Sequence, residues 1–115
     1  MLAHIVVDNR TGHAVHAYGC GQLFELALGN DSHPAEAGWP ACLRLLTIAT
    51  GISSYPWTIH ASYGSCGGTG NPPLPRCLPH GPPPLPAGNY RVVFFQSSNI
   101  VSAPSPIPVR ITPRS

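Results

Sequence analysis

The chain reads as an all-β protein, an antiparallel β-sandwich of about seven short strands stapled by disulfides. Three observations predict this. Fifteen prolines and twelve glycines break 115 residues into short segments, and proline fits neither helix interiors nor central strands. Several of those segments alternate apolar and polar residues with a period of two, as a strand buried on one face does. Four cysteines in so short a chain point to covalent cross-links, which small cores need.

The elements follow in order. Ala3 to Val7 is a run of small and β-branched residues, and Asp8-Asn9-Arg10-Thr11-Gly12 gathers turn formers before a second run, His13 to Tyr18, so a hairpin is predicted. Gln22 to Leu28 places Phe24, Leu26 and Leu28 on one face and Leu23, Glu25 and Ala27 on the other. Gly21 and Gly29 bound a segment too short for a stable helix. Gly29-Asn30-Asp31-Ser32-His33-Pro34 is a loop by composition, order returns near Trp39 or Cys42, and Leu43 to Ile48 is the next apolar run. After Thr50-Gly51, the segment Tyr55 to Tyr63 sets Tyr55, Trp57, Ile59, Ala61 and Tyr63 on one face, and Pro56 suits a strand at a sheet edge. Residues 64–86 form a Gly/Pro-rich loop, unusually long for a compact domain unless it is functional or pinned. Asn89 to Gln96 sets Tyr90, Val92 and Phe94 against Arg91, Val93 and Phe95, and Ile107, Val109 and Ile111 line the last strand. There is no internal repeat, and the length predicts one domain over 1–115.

Cys20, Cys42, Cys66 and Cys77 could form two disulfides, a zinc site, or buried thiols. No pair has the C-x₂₋₄-C spacing that brings two thiolates to a metal from one turn, so disulfides are expected. Sequential pairing is favoured: Cys66 and Cys77 flank one Gly/Pro-rich loop, while Cys20 and Cys42 each adjoin a strand-like run. Each bridge is worth about 3 kcal/mol. Disulfides imply a secreted, periplasmic or cell-envelope location. Met1-Leu2-Ala3-His4 shows no basic stretch leading into an apolar one, so the chain reads as a mature or trimmed piece, with no transmembrane segment.

Charge excludes other classes. The six basic residues, all arginine, are scattered and the net charge is only +2, so nucleic-acid binding is not expected. The lysine-free composition, rich in Ala, Gly, Pro and Arg, suggests a GC-rich bacterial coding sequence.

Leu85-Pro86-Ala87-Gly88-Asn89-Tyr90 leading into an alternating strand resembles the L-x-P-G-x-Y entry of immunoglobulin-like and fibronectin-type domains. With the Asn9-Arg10-Thr11-Gly12 turn and the strand from Phe24 to Leu28, the layout resembles small extracytoplasmic immunoglobulin-like domains of actinobacteria. It is more distantly similar to the bacterial intracellular proteinase inhibitor type. The resemblance implies an immunoglobulin-like sandwich in which Tyr90 forms a tyrosine corner. It departs from antibody-type domains, whose two sheets are linked through a Cys…Trp…Cys arrangement, because Trp39 and Trp57 do not sit in that order between a long-spaced cysteine pair, so the inter-sheet bridge is not carried over. A fold resemblance carries no activity with it.

No catalytic constellation stands out, and no enzyme and no cofactor are expected. Gly51-Ile52-Ser53-Ser54-Tyr55 lacks the final glycine of a nucleophile elbow. Gly64-Ser65-Cys66-Gly67-Gly68-Thr69-Gly70 lacks the G-K-[ST] ending of a phosphate loop. Asp8, Glu25, Asp31 and Glu36 form no clustered pair. Six histidines (4, 13, 16, 33, 60 and 80) raise a metal alternative, with His60, His80 and an unpaired Cys66 or Cys77 as the best set. Their spacing favours solvent and turn positions, so no metal ligands are assigned.

The proline tract Pro72 to Pro86 is the most unusual feature. It is expected to be stiff polyproline II, acting as a rigid spacer between the sheets or as a display for side chains. Leu74, Pro75, Arg76 and His80 are therefore the candidate contacts of a protein partner. Function is expected to be that of a non-enzymatic extracytoplasmic protein-binding or structural module. The alternatives are a protease inhibitor presenting Arg76 on a disulfide-anchored loop and a metal-binding envelope protein.

Overall fold

A computed structural model describes residues 1–19, 22–38, 44–67, 74–97 and 100–113, and among them all regular secondary structure is β, with no helix. Seven strands are present: β1 (Leu2–Asn9), β2 (Val15–Gly19), β3 (Phe24–Gly29), β4 (Arg44–Ile48), β5 (Gly51–Thr58), β6 (Gly88–Gln96) and β7 (Ile107–Ile111). β1 pairs with β5, β2 pairs with β4, and the third sheet has the order β3-β6-β7. The chain divides into two compact units, the first Met1–Leu26, Ala37–Ile59 and Phe94–Ser105, the second Ala27–Glu36, His60–Val93 and Pro106–Ser115.

In the first unit, β1 lies antiparallel to β5, Leu2 opposite Thr58 and Asn9 opposite Gly51. β2 lies antiparallel to β4, Val15 opposite Ile48 and Gly19 opposite Arg44. Because β1 leads into β2 and β4 leads into β5, these pairs are successive stretches of one antiparallel ribbon. The connections are unequal: Arg10 to Ala14 on one side, Ala49 and Thr50 on the other. The hairpin predicted between the first two strands is therefore corrected, since β1 and β2 belong to different sheets.

Asn9 is the physical reason. Its side chain is buried, and Nδ2 donates to the carbonyls of His13 at 3.0 Å, Ala49 at 3.1 Å and Ile48 at 3.4 Å. Oδ1 accepts from the Thr11 amide at 3.1 Å and the Thr11 hydroxyl at 2.7 Å. The asparagine closes a turn onto its own chain and clasps the neighbouring, oppositely directed stretch at Ile48 and Ala49. The turn residues thus build a corner at which the whole ribbon changes sheet.

The fold of the ribbon encloses an apolar core. Ile5 and Val7 from β1, Ala17 from β2, Leu23 and Phe24, and Ile48 from β4 are buried together, with Leu46, Tyr55, Trp57 and Phe94 packed against them. The Phe24 ring meets Tyr55 edge-on at 5.3 Å and stacks on Phe94 at 5.5 Å. Both are favourable aromatic geometries. Trp57 satisfies its indole N–H on the Leu26 carbonyl at 2.8 Å. Glu25, the one charged residue buried among those described, accepts from the Gly38 main-chain N–H at 2.9 Å and from the Gln22 side-chain Nε2 at 3.2 Å. β3 is consequently covered on both faces near Phe24 and Glu25, where the alternating pattern predicted one covered face.

Backbone bonding in the ribbon follows a strict alternation. Met1 and Ile59 exchange both main-chain bonds, at 3.1 Å and 2.7 Å. Continuing the antiparallel register, Ala3, Ile5, Val7 and Asn9 bond to β5. The same register turns Pro56 toward the open side of β5, so its missing N–H costs no ladder bond. This explains how proline sits well inside β5, which starts at Gly51 and ends at Thr58 where the pattern predicted Tyr55 to Tyr63.

Replacing Asn9 with alanine removes the clasp and strands buried acceptors. The expected loss is about 2 kcal/mol, read from the urea midpoint, with Thr11→Ala costing less because it touches only the Asn9 side of the corner.

Candidate functional site

The second unit holds the Gly/Pro-rich loop, and its local bonds shape it. At the neck, Tyr63 N–H donates to the Pro83 carbonyl and Leu85 N–H to the Ala61 carbonyl, both at 3.0 Å, around an antiparallel bridge between Ser62 and Pro84. The chain therefore leaves and returns at one place.

Inside the neck, Cys66 and Cys77 form a disulfide with Cα atoms 5.1 Å apart. The Gly67 amide donates to the Pro75 carbonyl at 2.7 Å, beside the bridge. Gly67 has φ 72°, and a Cβ there would lie 3.1 Å from the Cys77 sulfur, so glycine meets both the backbone and the packing demand. Ser65 donates its hydroxyl to Glu36 at 2.8 Å, tying the loop base to the segment after β3.

Beyond Cys77 the chain reverses. Leu78 and Gly81 exchange both backbone bonds, at 2.8 Å and 3.0 Å. Proline at the second position supplies the φ that the turn requires. His80 has negative φ, since no non-glycine residue among those described has positive φ, and Gly81 takes φ 122°. The bonds identify a type I turn closed by a glycine in the right-hand half of the map. The proline tract is thus not one continuous rod, because the Leu78 to Gly81 turn folds it back.

The predicted site residues fall as follows. Cys66 and Cys77 are bridged, and Cys20 and Cys42 lie outside the described residues. Leu74 and Pro75 are half-buried, while Arg76 and His80 are exposed. Arg76 makes no ion pair or hydrogen bond with the described residues. Leu78, half exposed at the start of the turn, completes the surface. Sequence reasoning passed over it, although it is the one apolar side chain other than proline between Cys77 and Gly81. The disulfide takes up the thiols on which the metal alternative drew. Among the described residues no three His, Cys, Asp or Glu side chains gather as a metal site.

The loop returns into β6 through a corner. The Tyr90 hydroxyl donates to the Pro86 carbonyl at 2.7 Å, and Tyr90 is buried with Leu85 and Leu28 in this unit. His33 stacks over Tyr90 at 6.4 Å and meets Tyr63 edge-on at 5.4 Å. Asn30 holds His33 in place, accepting from its amide at 2.7 Å and from the Ser32 amide at 3.1 Å, and donating to the Asn89 carbonyl at 3.0 Å. Burial pushes the Tyr90 phenol above its ordinary value of 10.0, the nearby Tyr63 adds to this, and a hydrogen bond with Asn30 acts in the opposite direction. β6 pairs with β7, Gly88 opposite Ile111 and Val92 opposite Ile107.

No protein-family model, curated protein or solved structure matches this chain.

Two outcomes follow from the braces. Replacing Cys66 and Cys77 together by serine should raise the rate of trypsin cleavage after Arg76 at least tenfold, on the order expected when a local opening loses about 1.4 kcal/mol or more of resistance. Tyr90→Phe should cost about 1 kcal/mol near neutral pH. In the native chain a phenol whose folded pKa is raised stays protonated while the unfolded chain ionises. The native stability is therefore retained below about pH 10 and falls as pH rises beyond it, and Tyr90→Phe should flatten that fall in urea midpoints.

Proposed function

We propose that the chain is a non-enzymatic protein-binding module working in an oxidising, extracytoplasmic compartment, and that its contact surface is the loop carrying Arg76, Leu78 and His80. The observation that carries this reading is the bracing of that loop. Three exposed side chains of cationic, apolar and imidazole character stand on a segment held by a neck ladder, a disulfide, the Gly67 to Pro75 bond and the Leu78 to Gly81 turn. A surface ordered before contact loses little entropy on binding. The Cys66–Cys77 disulfide is compatible with an oxidising location. Among the described residues no helix is long and apolar enough to cross a membrane.

Kinship with immunoglobulin-like domains is part of the same proposal. The β3-β6-β7 sheet and the Tyr90 bond to Pro86 support it. The pairing of β5 with β1 is a departure from the order of antibody-type sheets, in which the second strand takes the fifth. Any such relationship would not itself identify the partner.

A second reading, a substrate-like protease inhibitor, is favoured by one observation: Arg76 is exposed and free between Cys77, which is bridged, and Pro75, whose carbonyl is held by Gly67. An acidic specificity pocket accepts such an arginine.

One set of variants separates the readings. Inhibition of trypsin-like proteases by the native chain that falls at least about a hundredfold in Arg76→Ala, a loss of about 2.7 kcal/mol, supports the inhibitor. Negligible inhibition by both removes it. For the module, a partner retained from an extracellular protein extract should be lost with Arg76→Ala/Leu78→Ala and kept with Leu45→Ser on β4. Equal retention by all three chains would end the assignment of the contact surface to this loop.

A further inference from the structure

We infer that two copies of the chain associate through the open edge of β1, antiparallel and centred on Val6, to make a four-stranded sheet β5-β1-β1-β5. The alternation in the ribbon decides which groups are available. Since Ala3, Ile5, Val7 and Asn9 bond to β5, the backbone groups of Leu2, His4, Val6 and Asp8 point to the other side of β1. Among the described residues they have no backbone partner, because this sheet has two strands, and all four residues are exposed.

An edge of this kind invites pairing. β1 has eight residues and contains neither proline nor lysine, the residues that commonly blunt such edges. The outer face beside it mixes exposed apolar side chains, Leu2, Val6 and Ile52 at 65%, 64% and 75%, with the polar His4 and Asp8. The opposite edge of the same sheet is closed to pairing by Pro56.

The register identifies a second copy as the occupant. Outward-bonding residues must face outward-bonding residues, so even positions pair with even positions. Of the registers this allows, centring on Ala3 or His4 leaves Asp8 without a β1 partner, centring on Ile5 or Val7 sets Asp8 against Leu2 or Val6, and centring on Asp8 sets two carboxylates together. Centring on Val6 places Val6 against itself and His4 against Asp8 of the other copy, twice by symmetry. The imidazole then neighbours, at a bonded cross-strand position on the outer face, the carboxylate whose Oδ2 accepts from its own Arg10 at 2.6 Å and whose other oxygen can accept from the imidazole. Each copy offers the same patch to the other, as a two-fold interface requires. The product ends on two Pro56-bearing strands, so it closes as a dimer and does not propagate. The contact is small, which makes the dimer concentration-dependent.

Sedimentation equilibrium on the full chain tests this. The mass should rise from 12.1 kDa toward roughly twice that value as concentration increases into the high micromolar range. Val6→Pro removes an outward N–H and no bond to β5, so it should remain folded by circular dichroism and stay at the monomer mass. His4→Asp alone and Asp8→His alone should each weaken association at least about tenfold, about 1.4 kcal/mol, and the two together should restore it. This exchange keeps the test sharp even if Val6→Pro unfolds. A monomer at every concentration, an assembly larger than two, or a dimer indifferent to the charge exchange would overturn the inference.

Discussion

The side chain of Asn9 holds the first unit in its shape. A ribbon of two antiparallel stretches has no intrinsic reason to fold over, and its two connections are of different lengths. The carboxamide resolves the mismatch by bonding forward to His13 and Thr11 on the longer link and across to Ile48 and Ala49 on the shorter. Once that corner is set, Ile5 and Val7 face Ala17 and Ile48, and Phe24 has a closed space to fill. The core depends on a polar interaction made at its rim.

The second unit is stabilised differently. Among the described residues its buried apolar side chains are Leu28, Leu85 and Tyr90, too few for their burial to order a long loop by itself. Order there comes from directional and covalent links: the disulfide, the neck ladder, the Tyr90 hydroxyl on Pro86 and the Asn30 bonds around His33. The exposed Arg91 to Asp31 contact at 3.5 Å adds little to these. Such links suit a segment whose side chains face solvent, because they fix the backbone without using the side chains that a partner would meet.

Strand content was legible because alternation reports burial directly: the two-residue period of Tyr55 and Trp57, or of Ile5 and Val7, becomes an inward face. Pairing was less legible. Asp8 to Gly12 announces a change of direction in any arrangement, and the choice between hairpin and corner rests on Ile48 and Ala49, some forty residues on. Glu25 was unreadable as a buried residue for a similar reason, since the main-chain bond that receives its carboxylate comes from Gly38, beyond the loop that follows β3. In the loop, the cysteine spacing pointed to the bridge between Cys66 and Cys77. The turn that exposes Leu78 was hidden inside a run of prolines that composition alone reads as a rod. Cys20 and Cys42 lie outside the described residues.

In β1 and β5 two alternations coincide. Residues whose side chains enter the core also have the backbone groups that hold the ribbon together, and residues whose side chains leave the core have backbone groups that leave the ribbon. The strands therefore carry two interleaved texts. One, written at Ile5, Val7, Tyr55 and Trp57, specifies the fold. The other, written at His4, Val6, Ile52 and Ser54, can be rewritten with little consequence for it. Selection acting on what this surface meets would then be able to change one text while leaving the other intact, and the ribbon becomes a scaffold on which recognition can diverge faster than structure.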